Sequence, residues 1–578
     1  MIIKKKFAGI ASVMMVLSII MTFQPMWAKA SFTPLSILRI GLNFDSTVLP
    51  SANLQNVEGA GSGFDFGYFD DNKVFVPIGA WTDETRITMT MDRNMVWHPG
   101  DGGGAGQYRE GTTGAVVIGA FHIQLNAQFD AFGDALAAAG NYQGAFVRYE
   151  NGAFIVLIGQ YTSRAAAESA MTALDIPGAS INAGTASTIT IVRTGTNVIL
   201  FEYEHGTSRH LGVMPRHSGE GKAETWFLGF RYNGGFQYAR RGGALLTVAN
   251  MIEVEDYIKG VIPYEMANNW PIEALKAQAL CARTFAMYYA VRAPRHASYG
   301  VDMCTTTCCQ VYRGRNLANE RTDQAVEETA GRYITHEGLP VQTFYYSSNG
   351  GASESVENVW FDPLPHLRGV RDPFEADIAS GISGYHWERS FTPADLAQRL
   401  RNRGHSVSNI ASMRVSEYTP TGNVLSVTFT DNSGRSVTLS RLTQINNVLG
   451  VRSLRFDVGN SRWQAGGIHA NSPAQAISSN TGFSTIDGNG VVAPVTGGTI
   501  HAITGSGNIG IVTGGGSASS SGGSGTGLIN GVFTIRGTGW GHSVGMSQWG
   551  AYSQALHHGR SYEDIIHFYF TGVEIIRA

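Results

Sequence analysis

The chain has 578 residues, and its 42 Lys and Arg side chains nearly balance 45 Asp and Glu, so the formal net charge is −3. This balance argues against a nucleic-acid-binding surface, which needs a clustered excess of positive charge. The length predicts roughly two to four domains. Four cysteines are too few for the disulfide framework of a small secreted scaffold.

The first thirty residues indicate where the protein works. Three consecutive lysines (4–6) precede an apolar run over 7–23, and an Ala-Lys-Ala sequence (28–30) gives a cleavage pattern. We interpret residues 1–30 as a secretory signal peptide, with a retained N-terminal membrane anchor as the alternative. No later segment approaches the ~20 apolar residues of a membrane helix. The mature protein is therefore expected to be secreted.

Two regions follow the signal. Residues 31–114 have a β-rich pattern to which we assign no chemistry. Residues 115–180 are predicted as a small α+β domain with a strand, a helix, a hairpin turning at Asn151-Gly152 and a second helix capped by Ser163. This order resembles the SPOR domain, a family that binds peptidoglycan glycan strands stripped of their stem peptides. The resemblance places Gln124 on the glycan-contacting strand face, and a generic α+β domain with a solvated Gln124 is the alternative.

The remaining sequence is predicted as one mixed α/β domain in two parts, 187–463 and 531–578. Strand patterns dominate up to about residue 247, and helical patterns follow. Between the two parts, residues 464–530 are rich in Gly, Ser, Thr and Asn and bury too little apolar surface to fold compactly, which predicts a flexible insertion. The expected fold class is therefore α+β and multidomain.

The stretch from Glu255 to Gly314 carries most of the candidate chemistry, beginning with Glu265. The sequence up to Gly260 has helical spacing, and Pro263 is expected to end that helix because proline cannot continue the hydrogen-bond ladder. Glu265 is then expected on a short connection beside apolar side chains, which favour the protonated carboxyl of a general acid. A solvated loop glutamate is the alternative interpretation.

The next helix carries two cations, Lys276 and Arg283. They lie seven residues apart on one side of the helix, about 90° from its apolar face. Two cations beside a packed seam are suited to line a cleft and hold sugar hydroxyls or an anionic group. Ordinary solvated helix cations are the alternative.

A cluster of potential metal ligands comes next. His296, Cys304 and Cys309 offer one nitrogen and two sulfur atoms within fourteen residues, with Cys308 as a fourth candidate. Zinc prefers this mixed set in tetrahedral geometry, so zinc is the predicted cofactor. The alternatives are a Cys304–Cys309 disulfide, a vicinal disulfide or free thiols, since exported thiols oxidise readily. Cys281 stands in a helical pattern and is interpreted as a small buried hydrophobe.

These residues resemble the SpoIID/LytB family, named for a stage II sporulation protein and an amidase enhancer. The resemblance runs from about residue 230 to 578 outside the insertion, through VEDYIKGVIPYEM, WPIEALKAQALCARTFA, CTTTCCQVYRG, AVEETAGRYI, FYYSSNGGASES and GWGHSVGMSQWGA. It implies lytic transglycosylase activity on peptidoglycan, with Glu265 as the catalytic residue and His296, Cys304 and Cys309 as zinc ligands near it. The chain departs from the family at Cys308, where the family carries a histidine, so the fourth ligand stays open.

The resemblance also implies a set of substrate-binding residues: Lys276, Arg283, Gln310, His542, Gln548 and Trp549. Trp540, Trp549 and Tyr552 offer faces on which sugars can stack. For His542 and Gln548, a glycine-supported packing turn is the alternative. The SPOR-like segment would then deliver the enzyme to stripped glycan strands.

One carboxyl suffices for the implied reaction, although ordinary glycosidases use two. Glu265 would protonate the oxygen between MurNAc and GlcNAc and then, as a carboxylate, help the MurNAc 6-hydroxyl attack the anomeric carbon. The product would carry a 1,6-anhydro ring. The main alternative is a non-catalytic, LytB-type enhancer of an N-acetylmuramoyl-L-alanine amidase. A third interpretation is a structural wall-binding protein.

Overall fold

The structure, a computed structural model, describes residues 32–100, 105–206, 209–241, 243, 245–360, 362–459 and 528–578, with four short strands between 484 and 512. Two compact units divide the chain: the first ends at Thr343 and includes Gly572–Ala578, and the second is Phe344–Thr571. Both units mix helices and strands, which confirms the α+β class. The boundary falls inside the region 187–463 that the sequence predicts as part of a single domain.

The predicted signal peptide, 1–30, lies outside the described residues. Among the residues that are described, no helix is long and apolar enough to cross a membrane.

Nine α-helices lie in the described part of the chain, and five of them begin at a side chain that accepts a hydrogen bond from the first turn. The helices are α1 (Phe132–Ala139), α2 (Arg164–Leu174), α3 (Val254–Glu265), α4 (Ile272–Val291), α5 (Glu320–Glu328), α6 (Pro393–Arg401), α7 (Arg441–Leu449), α8 (Gln548–His558) and α9 (Tyr562–Tyr569). Single-turn 3₁₀ helices occur at Asp45–Thr47, Ala297–Tyr299, Val356–Asn358, Phe374–Asp377 and Ala379–Gly381.

Two large sheets form the framework of the first unit. The seven-stranded sheet contains, in spatial order, Met303–Cys304, Ile37–Asn43, Leu246–Glu253, Gly235–Arg240, Leu211–His217, Gly61–Phe69 and Phe75–Thr82. The ten-stranded sheet contains Ser180–Ala183, Phe121–Phe129, Ala153–Tyr161, Ala145–Glu150, Ile199–Glu204, Ile189–Arg193, Arg86–Met91, Ser51–Asn56, Thr225–Phe227 and Phe230–Tyr232. Two three-stranded sheets contain Leu339–Pro340, Arg332–His336 and Glu574–Arg577, and Gln107–Glu110, Met95–His98 and Val117–Ile118.

The seven-stranded sheet anchors both ends of the candidate region. Strand Leu246–Glu253 leads directly into α3, and the short strand Met303–Cys304 pairs with Ile37–Asn43 at the edge of the same sheet. The segment that carries the candidate acid and the predicted metal ligands therefore starts from this sheet and returns to its edge at Cys304.

The elements predicted for residues 115–180 are present. Four antiparallel strands and two helices follow one another as β-α-β-β-α-β, an order found in ferredoxin-like folds. The hairpin turns at Asn151 and Gly152, whose φ angles are 49° and 107°, and both lie in the left-handed region that such a turn requires. Ser163 caps α2 by accepting a hydrogen bond from the Ala166 N–H at 3.2 Å.

The sheet face that the SPOR resemblance assigns to glycan is covered. Phe146 and Leu157 lie on this face and pack in one buried cluster with Met95, Tyr108 and Ile118. Gln124, opposite Leu157, is half-buried and its Oε1 accepts a hydrogen bond from Asn182 at 2.6 Å. The expectation of an open, glycan-contacting face around Gln124 is therefore corrected, because Met95, Tyr108 and Ile118 cover the neighbouring part of that face.

The second unit contains smaller sheets. Strands His386–Phe391, Val532–Thr538 and Phe456–Val458 form one sheet, with Leu528–Ile529 paired to Val532–Thr538. Another contains Ile410–Tyr418, Val424–Asp431 and Ser436–Ser440, and a short parallel pair joins Tyr345–Tyr346 to Met546–Ser547. Within 464–530 the structure describes two strand pairs, Ser484–Ile486 with Val492–Pro494 and Ile500–Ile503 with Ile509–Val512. Most of the predicted flexible insertion lies outside the described residues.

Candidate active site

Helix α3 continues past Pro263 and ends at Glu265. The prediction that Pro263 ends the helix is wrong. Proline has no N–H to donate to the carbonyl four residues earlier, but that carbonyl accepts a hydrogen bond from a side chain instead. The Lys259 carbonyl, which would accept from the N–H of residue 263, accepts from the Arg315 guanidinium at 3.4 Å. The Met266 N–H still donates to the Ile262 carbonyl at 3.0 Å. Glu265 is therefore the last residue of a helix and not part of a connection.

Glu265 is half-buried and lies close to Tyr257, a fully buried residue of the same helix. Burial raises the pKa of the Tyr257 phenol, and the nearby charges of Cys309, Cys304 and Glu265 raise it further. Helix carbonyls give the C-terminal end of α3 a partial negative charge, which disfavours an ionised carboxylate there. The position thus suits a carboxyl that must carry a proton.

Gln310 is buried and connects α3 to α4. Its Oε1 accepts from the Tyr257 hydroxyl at 3.0 Å, and its Nε2 donates to the Ala282 carbonyl at 3.2 Å. The predicted substrate-binding role of Gln310 is corrected on this geometry, because both ends of its amide hold the packing of the two helices.

Arg283 is fully buried in an ion pair with Glu255, which stands in the first turn of α3. Nε is 2.9 Å and Nη2 2.7 Å from the carboxylate oxygens, and Nη2 also donates to the Val326 carbonyl at 3.1 Å. The Glu255 carboxylate accepts a further hydrogen bond from the Gly331 N–H at 3.1 Å. Arg283 therefore fastens helices α3, α4 and α5 together, and it does not line an open cleft as the sequence led us to expect.

Lys276 forms two ion pairs. Its ammonium is 2.8 Å from Glu273 on the same helix and 2.6 Å from Glu328 at the end of α5. The side chain retains 15% of its exposure, so its charge stays close to solvent, unlike that of Arg283.

The four predicted metal ligands converge. The ligand atoms of His296, Cys304, Cys308 and Cys309 all lie within 4.8 Å of one another. The His296 Nε2 is 3.4 Å from the Cys309 sulfur and 3.8 Å from the Cys308 sulfur. Tetrahedral zinc would hold a nitrogen and a sulfur ligand about 3.6 Å apart, so the set fits that ion. Cys308, left open by the sequence, lies within reach of the other three donors and is the fourth member of this set.

None of the four cysteines, all of which are described, forms a disulfide. A hydrogen bond from Cys309 lowers the pKa of the Cys304 thiol to about 4, and the same contact raises the pKa of Cys309. The contact thus favours the thiolate at Cys304, and the thiolate is the form in which cysteine binds metals.

The other predicted site residues, His542, Gln548 and Trp549, belong to the second unit. His542 follows a glycine-rich turn and packs against Trp360 and Tyr346, with ring centroids 4.8 Å and 5.2 Å away. Burial lowers the pKa of His542 to about 4, and its Nδ1 accepts from the Val544 N–H at 3.1 Å. This histidine is neutral at neutral pH.

The aromatic residues of this segment differ in exposure. Gln548 is buried at the start of α8, and Trp549 is partly buried with its ring 5.3 Å from that of Tyr552. Trp540 is 52% exposed, with the Arg452 guanidinium 4.6 Å above its ring. Among these residues, Trp540 presents the open face that sugar stacking requires.

The sequence did not single out a buried carboxyl pair in the second unit, Asp372 and Glu375. Burial raises the pKa of Glu375 to about 8, and the charge of Asp372 adds to the shift. Glu375 accepts hydrogen bonds from the N–H groups of Asn349 and Gly350 at 2.8 and 2.9 Å and from the Ser547 hydroxyl. The motif residues Asn349 and Gly350 were the available signal, but nothing in the local sequence connects them to Glu375.

Comparison with known proteins bears on the first unit most directly. The family model described as stage II sporulation protein, SpoIID, matches residues 243–336, which span α3, α4, α5 and the metal-ligand cluster. An uncharacterized protein of Brachyspira hyodysenteriae is 28% identical over 60% of this chain and 73% of its own length.

Two named relatives match similar lengths of the chain. The amidase enhancer of Bacillus subtilis is 28% identical over 55% of this chain and 40% of its own length. Stage II sporulation protein D of Bacillus amyloliquefaciens is 24% identical over 57% of this chain and 75% of its own length. The motifs, the matched model and these relatives together show that the chain is similar to proteins of the SpoIID/LytB family.

Proposed function

We propose that this protein is a lytic transglycosylase that cleaves MurNAc–GlcNAc bonds in peptidoglycan, with Glu265 as its acid and base. The observation that carries the proposal is the position of Glu265 at the carbonyl end of α3, half-buried, within the segment that matches the SpoIID model. The other end of the same helix places Glu255 in a fixed ion pair. Glu265, at the opposite end of the helix, is the carboxyl that we assign to proton transfer.

The proposed reaction needs no second carboxyl and no water. The protonated Glu265 gives its proton to the glycosidic oxygen as the bond from the anomeric carbon of MurNAc breaks. The resulting carboxylate then takes the proton of the MurNAc 6-hydroxyl while that oxygen bonds to the anomeric carbon. Glu265 ends protonated, as it began, and the products are a 1,6-anhydroMurNAc end and a free GlcNAc hydroxyl.

The environment of Glu265 supports both halves of this cycle. The helix carbonyls favour the protonated form before cleavage. Glu265 is only partly buried, which leaves room for a sugar to reach its carboxyl, whereas Tyr257 behind it is fully buried. A general acid and base in such a position contributes on the order of 10²- to 10⁴-fold to the rate.

We propose that His296, Cys304, Cys308 and Cys309 bind zinc in a structural role. Bound there, zinc supplies a crosslink within the segment that follows α4, and the residues of this cluster lie near Tyr257, the neighbour of Glu265. Cys304→Ser is expected to remove about one equivalent of zinc, measured by elemental analysis of the purified protein. Retention of that zinc would exclude this ligand set.

Substrate recognition by the first unit is proposed to use Lys276, which retains exposure, more than Arg283 and Gln310, which are buried. The substrate class is the glycan strand, and the covered sheet face of residues 115–180 adds no support for a preference for peptide-stripped strands. The signal sequence supports secretion to the cell wall, and the names of the sporulation relatives support a role in sporulation.

Mass spectrometry of digested, peptide-free glycan tests the proposal. The wild-type protein is expected to release fragments ending in 1,6-anhydroMurNAc, and Glu265→Gln is expected to release none above background. Absence of anhydro ends with folded wild-type protein, or the same products from Glu265→Gln, would contradict it.

A second candidate is a non-catalytic enhancer of an N-acetylmuramoyl-L-alanine amidase. The observation that favours it is the relative named amidase enhancer. An enhancer would raise the release of peptides by an added amidase equally well with wild type and with Glu265→Gln. A transglycosylase releases anhydro-ended glycan in the absence of any amidase.

A further inference from the structure

A second cluster of ionisable side chains lies far from the candidate acid in the chain, inside the ten-stranded sheet. Asp92 follows strand Arg86–Met91, and His122, Arg148 and Glu202 stand on three other strands of that sheet. Their exposed fractions are between 0% and 3%. Burying four such groups is costly unless each charge is compensated, so the way they compensate one another is informative.

Arg148 satisfies one oxygen of each carboxylate. Its Nη2 is 2.6 Å from Glu202 Oε2 and 3.1 Å from Asp92 Oδ2. The second oxygen of each carboxylate faces His122 instead: Nε2 is 3.7 Å from Glu202 Oε1 and 3.9 Å from Asp92 Oδ1. Two carboxylate oxygens and one imidazole nitrogen thus point into a common space, and their ligand atoms lie within 4.8 Å of one another.

The tautomer of His122 is set from its other side. Nδ1 is 2.7 Å from the Gly159 carbonyl oxygen, a contact that requires a proton on Nδ1. Nε2 has no hydrogen-bond partner among the described residues, although it is fully buried. A neutral ring would therefore aim a lone pair at Asp92 Oδ1 and Glu202 Oε1, and a cation in the space between the three atoms would remove that repulsion. The Thr190 hydroxyl also donates to Glu202 Oε1, at 2.8 Å, and fixes the position of that oxygen.

Two cations could occupy this space, a proton on His122 Nε2 or a metal ion, and the observed distances distinguish between them. A proton on Nε2 would need an acceptor at about 2.7–3.2 Å to form a hydrogen bond, and the observed 3.7 and 3.9 Å are too long. A metal ion bonded at about 2.1 Å separates its nitrogen and oxygen ligands by about 3.4–4.0 Å as the angle opens from tetrahedral.

We propose that Asp92, His122 and Glu202 form a second metal site, distinct from the cysteine cluster, for a divalent transition-metal ion such as Zn²⁺ or Mn²⁺. One imidazole and two carboxylates are a donor set that such ions accept. A metal-binding histidine commonly donates its other N–H to a backbone carbonyl, as His122 does to Gly159.

The charges around the site agree with a divalent ion. Two buried carboxylates, Asp92 and Glu202, share the single guanidinium of Arg148, so negative charge is in excess inside the cluster. Glu150, 3.8 Å from Arg148 and 37% exposed, adds negative charge at the edge. His122 and Arg148 belong to the SPOR-like segment, whereas Asp92 and Glu202 belong to elements outside it. The ion would fasten this segment to the adjacent strands, and its binding would be coupled to folding because the site is buried.

The test uses the full-length protein with Cys304→Ser and Cys309→Ser, so that the sulfur cluster contributes no metal. After refolding with Zn²⁺ or Mn²⁺ and removal of loose ions, elemental analysis is expected to find about one equivalent. His122→Gln is expected to lose it, and His98→Gln, which changes an exposed histidine, is expected to keep it. X-ray absorption of the bound ion is expected to show nitrogen and oxygen neighbours without sulfur.

The competing occupant is a proton. Burial lowers the pKa of His122, but the charges of Glu202 and Asp92 outweigh it and raise that pKa overall, so an imidazolium is the outcome to exclude. Folded protein without metal, whose His122 nitrogens both carry protons by NMR, would overturn the proposal. If His122→Gln does not fold, Asp92→Asn replaces it, and the absorption spectrum of the unsubstituted site still decides.

Discussion

Helix α3 carries a glutamate at each end, and the two differ in almost everything except their chemistry. Glu255, in the first turn, makes a bidentate ion pair with the fully buried Arg283 and accepts the Gly331 N–H. Glu265, ten residues later, is half-buried at the carbonyl end. A negative charge is stabilised at the start of a helix and destabilised at its end. The same side chain is therefore fixed in an ion pair at one end and lies half-buried beside the helix carbonyls at the other.

The comparison also separates stability from activity. Arg283 was expected in a cleft, but its contacts with Glu255, Val326 and Thr329 make it a positioning residue that holds three helices in register. A substitution of Glu265 should consequently lower activity, whereas a substitution of Glu255 should lower stability.

The largest expected effect is on turnover. Glu265→Gln keeps the size of the side chain and removes its proton transfer, so we expect glycan cleavage to fall on the order of 10³-fold. The unfolding free energy should change by less than about 1 kcal/mol, because glutamine keeps the size and the hydrogen-bonding capacity of this half-buried side chain. Release of soluble glycan fragments and urea denaturation measure the two quantities. A loss of stability large enough to leave the variant unfolded would explain the lost cleavage and would show that Glu265 has a structural role.

The matched substitution, Glu255→Gln, should act on stability. It leaves the buried Arg283 guanidinium without its anion, which costs about 3 kcal/mol, somewhat below a fully buried pair since Glu255 is 33% exposed. Urea denaturation checks the loss, and the cleavage rate per folded molecule should stay within a few-fold of wild type. A stable but inactive Glu255→Gln would reverse the roles of the two ends.

A third carboxyl, Glu375, extends the comparison to full burial. Burial raises its pKa to about 8, so its contribution to stability is complete below the unfolded pKa and is lost as pH rises towards 8. Between pH 6 and pH 8 the loss should be about 2 kcal/mol. Glu375→Gln, which stays neutral, should lack this pH dependence in urea denaturation. If the unfolding free energy of wild type and of Glu375→Gln changed equally with pH, Glu375 would be ionised in the folded protein.

The smallest effects are expected for two lysines that pair with neighbouring residues of α5. Lys276 pairs with Glu328, and Lys259 pairs with Glu327, both at 2.6 Å. Either lysine changed to Met should cost less than about 1 kcal/mol, because such pairs are near the surface. We expect kcat/KM on glycan to fall about tenfold only for Lys276→Met, as a substrate cation would require. Equal kinetics for both variants would remove Lys276 from the substrate site.

Local patterns predicted much of the fold. The hairpin at Asn151-Gly152 and the Ser163 cap of α2 follow from neighbouring residues, and both are present. The end of α3 could not be predicted in this way, because the residue that satisfies the Lys259 carbonyl, Arg315, stands 56 positions away in sequence.

The candidate site shows the same limit. Spacing alone assembled the His296 and cysteine ligands, since they come from one short segment. The burial of Arg283 depends on the packing of α5, and the covered face of the SPOR-like sheet depends on residues 92–118. The Asp372–Glu375 pair depends on residues as distant in sequence as Ser547. Long-range polar contacts are therefore what the sequence failed to reveal.

The source of the oxygen at the new sugar end tests the central claim most directly. Digestion of peptide-free glycan in H₂¹⁸O should give anhydro ends without ¹⁸O, because the MurNAc 6-hydroxyl, not water, attacks the anomeric carbon. Glu265→Gln should give no new ends, while Glu255→Gln should give unlabelled anhydro ends. Reducing ends that carry ¹⁸O would identify a hydrolase, and no new ends from folded wild-type protein would contradict catalysis by Glu265 altogether.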